Sequence, residues 1–186
     1  MKAGIVVIAE LSGAVADRIH EVQQRYDPRM AGELPPHLTL IGSSGTGPIS
    51  VRTSPELLRE ALLPATQAAS PMTLAFLPPM QFMQSNVVVL PLDPNGPVRA
   101  FYESMAERLR AARIVTERAR FTFTPHCTLS LYPELSTQAV RELLAMRFEE
   151  TILVDAVQAY RASGPVGTQK LFELKLAPFA EFRNEP

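Results

Sequence analysis

Apolar positions along the chain recur at two spacings, and these predict its elements. Residues 5–9 form an unbroken apolar run of strand length. Val15, Ile19, Val22 and Tyr26 then fall at helical spacing, with Ser12 as the expected N-cap and Asp27-Pro28 as the stop. A loop over 30–36 leads to an extended segment at 37–41, closed by the Gly/Ser-rich stretch 42–48. Ser54-Pro55-Glu56 is a helix start: a cap, then proline in the first turn, then an acid at the positive dipole end. Pro64 is expected to stop or kink that helix. Residues 72–77 and 86–92 read as strands joined through Pro78-Pro79.

A second round follows. Gly96-Pro97 opens a helix with Val98, Phe101, Met105 and Leu109 on one face, and 114–121 connects it to an extended segment at 126–131. Ser136 or Thr137 caps a short helix bearing Val140, Leu143 and Leu144. Strands at 151–160 and 169–176 finish the chain across the turn signal Ser163-Gly164-Pro165. The order of elements predicts an α+β chain built as a pseudo-repeat, about 1–80 and 81–186, within a single domain of two similar lobes. Its period is far longer than a solenoid repeat of about 20–50 residues.

Composition narrows the possibilities only a little. With 46% hydrophobic and 20% charged residues, the 186-residue chain can bury a sizeable core. Its 18 basic and 19 acidic residues leave a net charge of −1, and no arm concentrates cations for long nucleic acid. Contact with RNA is therefore expected only at a terminus or with a small nucleotide. The single Cys127 rules out an intrachain disulfide and a cysteine-based zinc cluster. Glu10 interrupts the first apolar run, which favours a strand over an export signal, and no stretch approaches the roughly 18 apolar residues of a membrane span. A cytoplasmic, monomeric protein is the expectation.

The chemistry concentrates in two pentapeptides, Pro36-His37-Leu38-Thr39-Leu40 and Pro125-His126-Cys127-Thr128-Leu129. Successive strand side chains alternate faces, so each segment presents one imidazole and one hydroxyl while its apolar partners point inward. Phosphoryl transfer needs one group to take a proton and another to give one, and imidazole does either near neutral pH. The threonine hydroxyls can donate to non-bridging phosphate oxygens. His37 and His126 are thus the expected acid–base pair, with no metal or cofactor required.

Paired motifs of this kind in a chain of this size resemble the 2H phosphoesterase superfamily, in particular its 2′-5′ RNA ligase-like and cyclic phosphodiesterase members. The resemblance implies two α+β lobes with antiparallel sheets and flanking helices around a central cleft. It implies His37 and His126 as the catalytic pair, Thr39 and Thr128 as the phosphate-binding residues, and RNA termini or small nucleotide phosphodiesters as substrates. The activity it implies is metal-independent hydrolysis of 2′,3′-cyclic phosphate ends. Joining or cleavage of 2′-5′ linkages, and non-catalytic binding of an RNA terminus or nucleotide, are the alternatives. Where many relatives carry an arginine after the second motif, this chain has Ser130-Leu131-Tyr132-Pro133, and Tyr132 is placed to stack on a base.

Other polar residues have plainer readings. His20 is expected on the solvent side of the first helix, and Cys127 on the buried side of its strand. Phe121 and Phe123 are expected in the core, and Arg118, Arg120 and Lys170 as solvated charges. The loops at 42–52 and 114–124 are expected to border the site.

Overall fold

A computed structural model describes residues 3–82, 86–162 and 167–177. The turn signal at 163–165 lies outside the described residues. The chain is α+β with antiparallel sheets. Its first half runs β1 (Gly4–Glu10), α1 (Ala14–Tyr26), α2 (Pro28–Ala31), β2 (His37–Ile41), α3 (Pro55–Gln67), β3 (Met72–Ala75) and β4 (Met80–Gln81). The remainder runs β5 (Val88–Pro91), α4 (Pro97–Ala111), β6 (His126–Ser130), α5 (Thr137–Ala145), β7 (Thr151–Val154), β8 (Ala156–Ala162) and β9 (Thr168–Lys175).

Seven strands form one sheet in the order β4-β5-β6-β2-β1-β8-β9, and β3 pairs with β7 in a second sheet. Every pairing is antiparallel. The two pentapeptide strands lie side by side at Leu38 opposite Cys127, and the halves also interleave through the β1–β8 and β3–β7 pairings. The helices also interlock the halves, because α1 packs against β6 and α4 against β2. One sheet face is buried under them, through Ile5, Val7, Ala9, Leu38, Leu40, Cys127 and Leu129 with Ile19, Leu58, Leu62 and Met105. The opposite face carries a small apolar group, Val6, Ile8 and Leu34 with Tyr160, and the polar side chains described below.

The halves also agree in register. Glu10, Ala9 and Ile8 of β1 face His37, Leu38 and Thr39 of β2. Pro91, Leu90 and Val89 of β5 face His126, Cys127 and Thr128 of β6 in the same way. Each pair has a bulge at the equivalent place, between Val7 and Ile8 and between Val88 and Val89. A bulge re-aims the strand beyond it, so both motif strands leave the site along matching paths. Gly42 then ends β2 at φ 132°, where a Cβ would press on Val6 Cγ1 at 2.5 Å.

Several local expectations are corrected. The cap of α1 is Gly13 rather than Ser12, and it makes no side-chain hydrogen bond. Asp27 both ends α1 and caps a further turn, α2, by accepting from the Met30 N–H, so the loop at 30–36 begins as helix. Pro64 does not stop α3, which runs on to Gln67 because Leu58, Leu62, Ala65 and Thr66 bury that face. The segment 151–160 is two strands in different sheets. β3 pairs with β7 rather than with its neighbour in sequence, and the short β4 lies in the stretch read as linker.

Candidate active site

Both pentapeptides fold as the alternation requires. Along Pro36–Leu40 and Pro125–Leu129 the proline, the central residue and the leucine are buried, while histidine and threonine are half-buried. Extending the Leu38–Cys127 pair by one residue each way sets His37 opposite Thr128 and Thr39 opposite His126. Directly opposed side chains stand about 4.5–5.5 Å apart at Cβ, and diagonal ones about 7–8 Å. The four residues therefore form one patch with the imidazoles on a diagonal, a spacing that admits a tetrahedral phosphate between the rings. The rings sense each other, since a positive charge on His126 disfavours one on His37.

Each imidazole is oriented identically. His37 Nδ1 lies 2.7 Å from the Pro35 carbonyl, and His126 Nδ1 lies 2.7 Å from the Thr124 carbonyl. A carbonyl oxygen only accepts, so each Nδ1 carries the hydrogen and donates it. The titrating atom is then Nε2 in both rings. Neither Nε2 has a hydrogen-bond partner among the described residues, and neither is sealed from solvent. The chain enters both strands alike, through Leu11 N–H to Pro36 O at 2.8 Å and Leu92 N–H to Pro125 O at 3.0 Å.

Burial is the largest influence on both rings and pushes the pKa of each below the ordinary histidine value, while the carbonyl bonds pull the other way. For His37 the charge of His126 lowers the pKa further and that of Glu10 raises it. At neutral pH these environments therefore favour uncharged imidazoles. An anion between the rings would raise both.

The surroundings of the two rings differ. Beside His37, the Glu10 Oε1 accepts from the Tyr160 hydroxyl at 2.6 Å and pairs with Lys170 Nζ at 3.2 Å. Lys170 also reaches Glu173 Oε2 at 3.0 Å. The buried Gln158 accepts from the Glu10 N–H at 3.0 Å and donates to Glu173 at 3.3 Å. Beside His126 the neighbour is aromatic, with the Phe82 ring at 5.2 Å and a 36° tilt. None of Glu10, Gln158, Tyr160 and Phe82 was singled out from the sequence. The signal for Glu10 was an acid at the end of a strand that is otherwise buried.

The other candidates have varied surroundings. Tyr132 follows β6, is 45% exposed, and lines a hollow of about 470 Å³ with Asp27, Met30 and Glu33. Lys170 is ion-paired rather than free in solvent. Arg118 lines a separate hollow of about 530 Å³ with Tyr102, Arg110 and Thr116. Phe123 is in the core, stacked on Tyr102 at 3.9 Å, whereas Phe121 is half exposed and meets the neighbouring loop through its carbonyl. That carbonyl accepts from Gly45 N–H at 2.8 Å, and Glu117 N–H donates to Pro48 O at 2.8 Å, so the two loops beside the motifs brace each other. His20 is half-buried, with Nε2 2.9 Å from Gln24 Nε2. Cys127 faces the core, and burial pushes its thiol up to about 12, which removes it as a nucleophile. Among the described residues no three His, Cys, Asp or Glu side chains cluster to hold a metal ion, and no helix is long and apolar enough to cross a membrane.

The chain is similar to known proteins in family and in fold. The family model of the 2′-5′ RNA ligase superfamily matches residues 11–165. Apo E. coli LigT is similar in structure at a TM-score of 0.61 and 16% identity, covering 94% of this chain and 98% of that one. E. coli LigT with 3′-AMP gives 0.58 and 17%, covering 94% and 97%. A structure described as a phosphoesterase gives 0.58 and 16%, covering 95% and 99%. E. coli LigT is also similar in its complexes with NADP+, phosphate and ATP. No curated protein matches by sequence.

Proposed function

Since the chain belongs to the 2′-5′ RNA ligase superfamily, within the 2H phosphoesterases, we propose that it is a metal-independent phosphodiesterase acting on 2′,3′-cyclic phosphate ends of RNA or on related small nucleotide phosphodiesters. The observation that carries this reading is the patch of His37, Thr39, Thr128 and His126, in which both imidazoles have their Nδ1 committed to carbonyls and both Nε2 atoms free.

The chemistry follows from that arrangement. One neutral Nε2 takes a proton from water as the water oxygen bonds to phosphorus. The other, protonated, gives its hydrogen to the ribose oxygen as that P–O bond breaks, leaving a phosphomonoester and a free hydroxyl. Thr39 and Thr128 donate to the non-bridging oxygens, where charge resides in the transition state. A proton is gained at one ring and lost at the other, so the pair resets through solvent. Phe82 beside His126 and the exposed Tyr132 beyond β6 are the rings available to a base. The ligands of the E. coli LigT complexes, 3′-AMP, ATP, NADP+ and phosphate, support a nucleotide-sized substrate. We take the working unit to be a cytoplasmic monomer.

The test is hydrolysis of a 2′,3′-cyclic mononucleotide in excess chelator. Turnover should persist, with a bell-shaped pH profile, and His37→Ala and His126→Ala should each abolish most of it. Activity lost to chelator, or kept by either variant, refutes the scheme. The family description favours a second reading, reversible 2′-5′ joining, and tRNA halves assayed beside the cyclic mononucleotide separate the two. Tight binding of the cyclic nucleotide without turnover would instead mark a non-catalytic binder.

A further inference from the structure

The near-neutral total charge conceals an uneven placement. Residues 108–120, the end of α4 and part of the loop leading to β6, hold Arg108, Arg110, Arg113, Arg118 and Arg120 against the single acid Glu117. That is a net of +4 in a chain whose total is −1. All five arginines are exposed, and none forms an ion pair among the described residues. Elsewhere Arg18, Arg25, Arg29, Arg99, Lys170 and Lys175 each face a carboxylate. Unpaired cations crowded on one stretch repel one another, and a polyanion laid across them relieves that repulsion.

The loop that carries Arg118 and Arg120 ends at the active site. The Thr124 carbonyl accepts from His126 Nδ1 at 2.7 Å, and the Thr124 N–H donates to Ser44 Oγ at 3.3 Å. Six residues separate Arg120 from His126, a reach of at most about 20 Å. Between them the Phe121 ring is 50% exposed. Arg110 and Arg118 both line the hollow of about 530 Å³, together with Thr116 and with Tyr102, whose hydroxyl lies 3.0 Å from Thr46 Oγ1. Glu103 and Glu117 line it too, and Glu103 lies 3.9 Å from Arg99. The Gly45–Phe121 and Glu117–Pro48 hydrogen bonds brace the loop.

The other end of the motif strands has the opposite character. There the hollow beside Tyr132 is lined by Asp27, Glu33 and Glu134, and its cation Arg29 is paired with Glu33. A polyanion leaving the histidines is repelled at that end and attracted at the arginine end.

We propose that Arg110, Arg118 and Arg120, with the Phe121 ring, form a docking track for the backbone of a single-stranded RNA whose cyclic phosphate end lies between His37 and His126. The proposal rests on the phosphodiesterase reading and deepens it, since the substrate becomes an RNA strand of several nucleotides rather than a mononucleotide. Guanidinium forks match phosphate oxygens bidentately, and an exposed ring stacks on any base, so the track grips without reading sequence.

The experiment compares hydrolysis of an RNA of about ten nucleotides ending in a 2′,3′-cyclic phosphate with that of the cyclic mononucleotide. It uses the full-length parent and the triple variant Arg110→Gln, Arg118→Gln, Arg120→Gln. A control triple, Arg25→Gln, Arg59→Gln, Arg141→Gln, removes the same charge from exposed positions on α1, α3 and α5. In the track variant, kcat/KM for the RNA should fall about tenfold or more at about 50 mM salt, and the slope of log affinity against log salt should flatten by about 2. Turnover of the mononucleotide should stay within about twofold of the parent, and the control triple should match the parent on both substrates. An RNA loss as large in the control triple, or an equal loss on the mononucleotide, overturns the proposal. So does equally tight binding of a polyglutamate peptide, which would give the arginines to an acidic protein. A parent without turnover would sink the phosphodiesterase reading instead, and fluorescence anisotropy with the same RNA would still decide whether the arginines hold its backbone.

Discussion

Strands β2 and β6 carry the same five-residue pattern, the same burial and the same ring–carbonyl bond, and their registers with β1 and β5 shift at the same place. What flanks them is not the same. β2 has an acid, a tyrosine and a lysine on one side, while β6 has a proline and a phenylalanine. The common part is what any in-line displacement at phosphorus demands of two imidazoles. The divergent part gives the rings different surroundings, charged beside His37 and aromatic beside His126.

The most severe way to break the comparison is to remove a ring. His37→Ala and His126→Ala should each lower turnover of a cyclic mononucleotide by about 10²–10⁴-fold, and the double variant should be little worse than either. Steady-state kinetics on the three proteins reads this, and a double variant far worse than both singles would mean that the rings act independently. On the back face, Leu38→Ala and Leu129→Ala should each cost about 2–5 kcal/mol in urea unfolding, since both leucines are fully buried. Markedly unequal costs would show that the halves share less of their packing than their register. Thr39→Val and Thr128→Val each delete one donor to the phosphate and should lower kcat by about 10²-fold. Phe82→Ala should raise KM for an adenine cyclic nucleotide about fivefold or more, and Tyr132→Ala less, because Phe82 is the ring already packed on His126.

The smallest effect is on stability against pH. Both rings have pKa values below the ordinary histidine value in the folded protein, so the unfolded chain binds protons first as pH falls. Stability from this source is therefore complete above about pH 6.5 and declines as pH drops through that value toward the folded ones. Thermal unfolding between pH 7.5 and 5 should show the decline, and His37→Gln with His126→Gln should flatten it. A parent already flat over that range would mean that the rings are as solvated as in the unfolded chain.

The sequence made the motif strands legible because strand alternation is local. His37–Ile41 and His126–Ser130 follow from five residues each, and the caps Ser54 and Ser136 from three or four. Their convergence was legible only because the pattern occurs twice. Long-range pairing was not. No local rule sends β3 to β7 or cuts 151–160 between two sheets, since these depend on which apolar faces remain uncovered after the helices dock. The place of Glu10 beside His37 was hidden for the same reason. Its meaning comes from a cross-strand partner and from Tyr160 and Lys170, both far along the chain, and a single acid at a strand end carries no mark of either.

One consequence follows from the Leu38–Cys127 pair, where the two motif strands meet. A one-residue slip of a strand turns every side chain to the opposite face. At this seam a slip would drive an imidazole into the hydrophobic interior and a leucine into the open. A molecule that assembles there with the wrong alignment is therefore silent rather than sluggish. The alignment that buries the leucines is therefore the same one that brings the two imidazoles to one face.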